Sequence, residues 1–283
     1  MLRMSRAVVV VAAMGFGCGD SRNATPPLTP SASAPAASQQ SLSGYVADTA
    51  FRAVAGAKVE VLDGPQAGLS MLSDGGGQFT YTGTFTSSVT LRVSKDGYVS
   101  ATGTSRVSAP GGRPWAYVRL EPVAAHANIA GDYTVTFTAD ASCTSLPAEA
   151  RSRTYAATIA ATPDPLVPAG TLFRLAITGA ALVPGNDGFP IGVAGSFVNL
   201  EVWNGEGPGV VEQLAPRTYV GLFGAAGTTV GTSGAPISAS FDGTIEYCVT
   251  TFDGNPSYGC TSVQTDRREQ CASKNHSVTL TRR

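Results

Sequence analysis

Gly131-Asp132-Tyr133-Thr134-Val135-Thr136-Phe137-Thr138 sets Tyr133, Val135 and Phe137 on one side and Thr134, Thr136 and Thr138 on the other. A period of two marks a strand with one buried and one wet face. Val198, Leu200 and Val202 against Asn199 and Glu201 repeat the pattern. Eight β-like segments follow in 127–283, near 133–139, 154–161, 171–179, 196–203, 217–224, 237–249, 258–264 and 276–282. Gly/Pro-rich turns separate them, which predicts an up-and-down meander. Eight such strands can close into an antiparallel barrel with no exposed edge, or pack as a second sandwich. A closed eight-strand barrel is filled by side chains or holds one small ligand.

Upstream, 41–122 shows the same period. Val59 and Val61 alternate with Lys58 and Glu60, Val89, Leu91 and Val93 with Thr90, Arg92 and Ser94, and Val118 and Leu120 with Tyr117, Arg119 and Glu121. Asp63-Gly64-Pro65, Asp74-Gly75-Gly76-Gly77, Lys95-Asp96-Gly97 and Pro110-Gly111-Gly112 punctuate these runs as turns. The expected fold is all-β, a small antiparallel sandwich followed by the barrel-like domain.

Four ordered motifs in 41–122 carry a resemblance. They are Leu42-Ser43-Gly44-Tyr45-Val46, Val54-Ala55-Gly56-Ala57-Lys58-Val59-Glu60-Val61, Ser73-Asp74-Gly75-Gly76-Gly77-Gln78-Phe79 and Leu91-Arg92-Val93-Ser94-Lys95-Asp96-Gly97-Tyr98. The segment resembles the carboxypeptidase regulatory-like (transthyretin-like) domain. That resemblance implies a non-catalytic accessory or binding module. It also implies, through an architecture shared with starch-binding-like domains, carbohydrate binding. In 127–283, Gly131-Asp132-Tyr133 at the start and Arg282 at the end resemble the lipocalin/calycin seam, with Tyr133 where that family has Trp. This second resemblance implies an arginine packed over the first strand and a carrier of a small apolar ligand.

The N-terminus reads as a targeting segment. Arg3 and Arg6 precede an apolar run over 7–16, too short to span a bilayer, which takes about 20 residues. It ends in Gly15-Phe16-Gly17-Cys18, which resembles the bacterial lipoprotein signal. That implies cleavage after residue 17 and lipidation of Cys18. The mature protein would then be anchored to a membrane in the bacterial cell envelope, on its periplasmic or cell-surface side. Residues 18–40 hold Pro26, Pro27, Pro30 and Pro35 among Ser, Ala and Thr, with too little apolar surface to fold, and read as a tether.

Four further cysteines, Cys143, Cys248, Cys260 and Cys271, all lie in the C-terminal half. In an oxidising compartment they read as two disulfides, for which three pairings exist. A hairpin centred near Gly254 in Asp253-Gly254-Asn255-Pro256 would bring Cys248 against Cys260 across two strands. Cys143 and Cys271 would then tie the first strand to the last.

Catalytic signatures are missing from the sequence. There is no nucleophile elbow, zincin helix or phosphate loop. His126 and His276 have no Cys, Asp or Glu at ligand spacing, so neither metal nor cofactor is expected. Asp140, Asp187, Asp242 and Asp253 read as turn residues, and Glu201 and Glu206 as solvated side chains rather than an acid/base pair. A net charge of −1 without any basic run gives no footprint for nucleic acid. Trp115, after Gly111-Gly112-Arg113-Pro114, and Trp203, before Asn204-Gly205-Glu206-Gly207, are candidates to stack on a sugar. The expected function is a membrane-anchored, non-enzymatic binding or scaffold module. Its partner would be a polysaccharide, a small apolar ligand or a cell-envelope protein.

Overall fold

A computed structural model describes residues 41–83, 85, 88–107, 112–164, 167, 170–203, 207–231, 235–251, 256 and 258–283. The targeting segment, Cys18, the tether, Glu206 and Asp253-Gly254-Asn255 lie outside the described residues.

The N-terminal part is a β-sandwich. Its strands are β1 (Leu42–Asp48), β2 (Lys58–Val61), β3 (Ser70–Leu72), β4 (Gln78–Tyr81), β5 (Thr90–Ser94), β6 (Tyr98–Val99), β7 (Ala101–Thr104), β8 (Arg106–Val107) and β9 (Pro114–Pro122). One sheet has the order β4-β1-β9-β6 with β8 also on β9, and the other is β3-β2-β5-β7. Alternation buries Val59, Val61, Leu91, Val93, Val118 and Leu120 between the sheets, together with Phe79 and Val46. The turn at Asp74 forms as its residue types dictate. Its Oδ1 accepts from Gly76 N at 2.9 Å and Gln78 N at 2.8 Å. Gly77 sits at φ 76° with its Cα so near the Val46 carbonyl that a Cβ would lie 2.5 Å from that oxygen. One pair departs from the antiparallel pattern: β1 and β9 run parallel, Ser43 beside Trp115 through to Asp48 beside Leu120. They are the sandwich's first and last strands, so the rest of the domain serves as the long connection that a parallel pair needs.

The C-terminal part is a closed barrel. Its strands are β10 (Gly131–Thr138), β11 (Ser152–Pro163), β12 (Thr171–Thr178), β13 (Leu182–Ala194), β14 (Phe197–Val202), β15 (Val210–Ala215), β16 (Thr218–Thr229), β17 (Ile237–Thr250) and β18 (Thr265–Arg282). The circuit β10-β11-β12-β13-β14-β16-β17-β18 closes by antiparallel pairing of β18 with β10. Strands β14 and β15 share one stave end to end. The Ile191 to Ala194 stretch of β13 holds β14 and its Leu182 to Asp187 stretch holds β15. Likewise β16 pairs with β15 through Thr218 to Leu222 and with β14 through Gly224 to Thr229. The chain therefore leaves the wall between Val202 and Val210 and re-enters it.

The lumen is filled by side chains. Phe137 meets Phe189 and Phe241 edge-on, with centroids 6.3 and 5.7 Å apart, among Leu175, Leu200, Leu222 and Ile245. At the seam, the Arg282 guanidinium lies 5.6 Å over the Tyr133 ring and donates to the Ala130 carbonyl.

Two strand assignments are corrected. The 258–264 segment is not a strand, and carries only a 3-10 turn at Cys260–Ser262. The eighth stave is instead β13, whose Pro184-Gly185-Asn186-Asp187-Gly188 reads as a turn. A register shift between Leu182 and Asp187 absorbs the proline and Gly185, which has φ 84°. Asp187 and Asp242 accordingly lie within strands rather than loops.

Both disulfides form, Cys143–Cys271 and Cys248–Cys260. The second does not cross a two-stranded hairpin as expected. Cys248 is on β17, opposite Arg268 of β18, and Cys260 is in the connecting loop folded onto the outer wall. There the bridge packs with Val183, Val211 and Tyr219.

Sandwich and barrel meet at a buried junction. Arg119 and Asp164, 5% and 1% exposed, form an ion pair at 2.5 Å. Thr49 Oγ1 donates to the Val193 carbonyl at 2.7 Å, and Arg52 lies 4.5 Å over the Phe197 ring.

Candidate functional site

Inward Val198, Leu200 and Val202 force Glu201 to the outside of the barrel. Register then lines up Glu201, Ala225 and Asp242 across β14, β16 and β17. The next outward rows bring Phe223 beside Thr244, and Glu246 beside Gln270. These side chains, with Arg268, floor a groove of about 890 Å³. Its walls come from two loops. The excursion between β14 and β15 supplies Trp203, Gly207 and Pro208, and the β17–β18 connection supplies Tyr258 and Thr261. Trp203 is 51% exposed and Tyr258 55%.

Close backbone approach holds the two loops together. A Cβ on Gly207 would lie 3.0 Å from the Cα of Tyr258. Trp203 and Pro208 form a β-bridge that pinches the excursion at its base. The Cys248–Cys260 bridge staples the second loop to the wall. Beneath it, Glu246 Oε2 accepts from Cys260 N at 2.8 Å, and Arg268 lies 3.8 Å from Glu246 Oε1.

Three carboxylates, of Glu201, Asp242 and Glu246, thus line the groove together with the Arg268 guanidinium. Burial raises the Glu201 carboxyl above the ordinary carboxylate range, partly opposed by the positive charge of Arg119. Asp242 lies 3.9 Å from Lys274, both well exposed. The floor offers hydrogen-bond acceptors at Glu201 and Asp242, an amide at Gln270 and a cation at Arg268. Among the described residues no group of three or more His, Cys, Asp or Glu gathers as for a metal ion.

Of the two tryptophans, Trp203 enters this groove and Trp115 does not. Trp115, 50% exposed, stands on β9 beside a separate groove of about 900 Å³ lined by Thr90, Thr102, Thr104 and Tyr117. His276 is buried in the seam and His126 packs edge-on against Phe173. The residues that sequence reasoning missed are Asp242, Glu246, Phe223 and Tyr258. The first three were signalled by the inward residues just before them, Phe241 ahead of Asp242, Ile245 ahead of Glu246 and Leu222 ahead of Phe223, whose alternation sets the next side chain outward. Tyr258 had no such signal, because a loop has no period.

No protein-family model and no curated protein matches this chain.

Proposed function

We propose that this is an exported, non-catalytic binding protein whose barrel groove takes a saccharide chain face-on to Trp203. The observation that carries this reading is a half-exposed Trp203 standing over a polar floor, in a groove held open by a disulfide-stapled loop. An indole face packs against the C–H face of a pyranose, while carboxylate, amide and guanidinium groups bond its hydroxyls. The acid excess from Glu201, Asp242 and Glu246 disfavours uronic-acid polymers and suits neutral or amine-bearing sugars. Side chains fill the lumen, which favours the outer groove over a carrier of an apolar ligand. Two disulfides are compatible with export, and no helix among the described residues is long and apolar enough to cross a membrane. Lipid on Cys18 would hold the domains at the cell envelope through the Pro-rich tether. The sandwich, as a carboxypeptidase regulatory-like module, would act as an accessory surface beside the groove.

A polysaccharide array compares wild-type and Trp203→Ala proteins, with polygalacturonate as the anionic control. Binding to a neutral or amine-bearing glycan, weakened about tenfold or more by the substitution, is the expected result. A blank array for both proteins contradicts the reading.

A further inference from the structure

The charges on the groove floor do not cancel. Arg268 and Glu246 answer one another. The guanidinium lies 3.8 Å from Glu246 Oε1 and donates to Gln270 Oε1 at 2.5 Å, while Glu246 Oε2 accepts from Cys260 N. That leaves Glu201 and Asp242. Glu201 is partly buried, and among the described residues it makes no hydrogen bond or ion pair. A carboxylate taken from water without a counter-charge or donor loses solvation that nothing restores. Asp242 has Lys274 at 3.9 Å, but the two side chains are 64% and 85% exposed, so water and salt screen that pair.

Register brings these two carboxylates to one place. Glu201, Ala225 and Asp242 form a single row across β14, β16 and β17. Two strand spacings separate the Cα atoms of Glu201 and Asp242, about 10 Å. Ala225 between them is exposed and carries only a methyl group, so the middle of the row is open. Trp203 and Phe223 come next on the groove side of the row, and Tyr258 stands on the second loop. An aromatic face attracts a cation through its quadrupole, and indole does so best. The groove thus offers an ammonium group two carboxylates whose charge is not cancelled, beside a ring that favours positive charge and a flat C–H face alike.

We propose that the groove selects amine-bearing saccharides over neutral ones, with Glu201 and Asp242 holding the protonated amine of a pyranose stacked on Trp203. This rests on the saccharide reading of the groove and narrows its ligand to glucosamine-type chains. The amine carries the charge that Glu201 lacks, and N-acetylation of the same sugar removes it.

Calorimetric titration with β-1,4-linked hexamers of glucosamine, N-acetylglucosamine and glucose, in a buffer that keeps the amines protonated, tests it. A lysine tetramer supplies ammonium groups without a pyranose face. The wild type is expected to bind the glucosamine hexamer about tenfold or more tighter than the other two hexamers and the peptide. Added salt should shrink that advantage. Glu201→Gln with Asp242→Asn should reduce it severalfold. Lys274→Ala, at a highly exposed position outside the groove lining, should enlarge it by removing a competing cation. Equal affinity for the glucosamine and N-acetylglucosamine hexamers overturns amine selection and leaves the groove reading standing. So does an advantage that neither falls in the double variant nor rises in Lys274→Ala. Binding of none of the hexamers, or a lysine tetramer that binds as tightly as the glucosamine hexamer, overturns both.

Discussion

His276 is buried in the barrel seam with both ring nitrogens engaged. Nδ1 accepts from Asp140 N at 2.9 Å, and Nε2 faces the Cys271 carbonyl at 3.3 Å, which calls for the neutral tautomer protonated at Nε2. Burial lowers its pKa below the usual 6.5, ahead of the opposing pull of these hydrogen bonds and of Asp140. The folded state therefore resists a proton that the unfolded chain accepts, and stability falls as pH drops below about 6.5. Asp140 acts at a lower range. Hydrogen bonds from Ser142 N, at 2.9 Å, and Ser273 Oγ, at 2.6 Å, hold its carboxyl down at about 2. Its contribution is complete above the ordinary value of 3.8 and is lost as pH falls from there toward 2. Thermal melts of wild type should lose temperature from pH 7 to pH 5, and His276→Gln should flatten that slope. A slope unchanged by His276→Gln would contradict the assignment.

At the scale of elements, the two disulfides do different work. Cys143–Cys271 spans 128 residues and continues the β10–β18 seam, so by chain entropy it contributes about 5 kcal/mol. Cys248–Cys260 spans 12 residues and is worth about 3 kcal/mol by the same model. Its position matters more than that figure, because it fixes the loop carrying Tyr258. Replacing Cys248 and Cys260 together by Ser should leave a folded barrel in circular dichroism and weaken glycan binding severalfold. Replacing Cys143 and Cys271 should mainly lower the denaturant midpoint. Strands such as β10 and β14 were legible because one wall faces a packed lumen and the other water, which imposes alternation. Strand β13 was hidden because a bulge let proline and glycine sit inside a ladder. The groove was half legible. Trp203 stood out as an aromatic beside a polar loop, whereas Glu246 and Asp242 gained meaning only once register set them in line with Gln270 and Glu201. The cysteine pairing was legible from spacing, but the fold of the Cys260 loop onto the wall depended on contacts with Val183, Val211 and Tyr219, which are remote in sequence.

For the whole molecule, the junction is where the two β-domains touch. The Arg119–Asp164 pair is buried, and taking away one partner strands the other charge in a low-dielectric site. Asp164→Asn should lower unfolding free energy by about 3 kcal/mol in denaturant titrations, whereas Asp164→Leu with Arg119→Met should recover much of the loss. The proposed lipid anchor belongs to this scale too. Cys18→Ser should move the protein from the membrane to the soluble fraction, and a wild-type protein that is already soluble would contradict lipidation. The central claim, saccharide stacking on Trp203, has a direct optical test. The chain has two tryptophans, so Trp115→Phe leaves Trp203 as the sole indole reporter. Titrating that protein with β-1,4-linked glucose and glucosamine oligomers should give a saturable blue shift of its emission as the half-exposed ring loses water. Emission unchanged up to saturating oligomer would contradict the account.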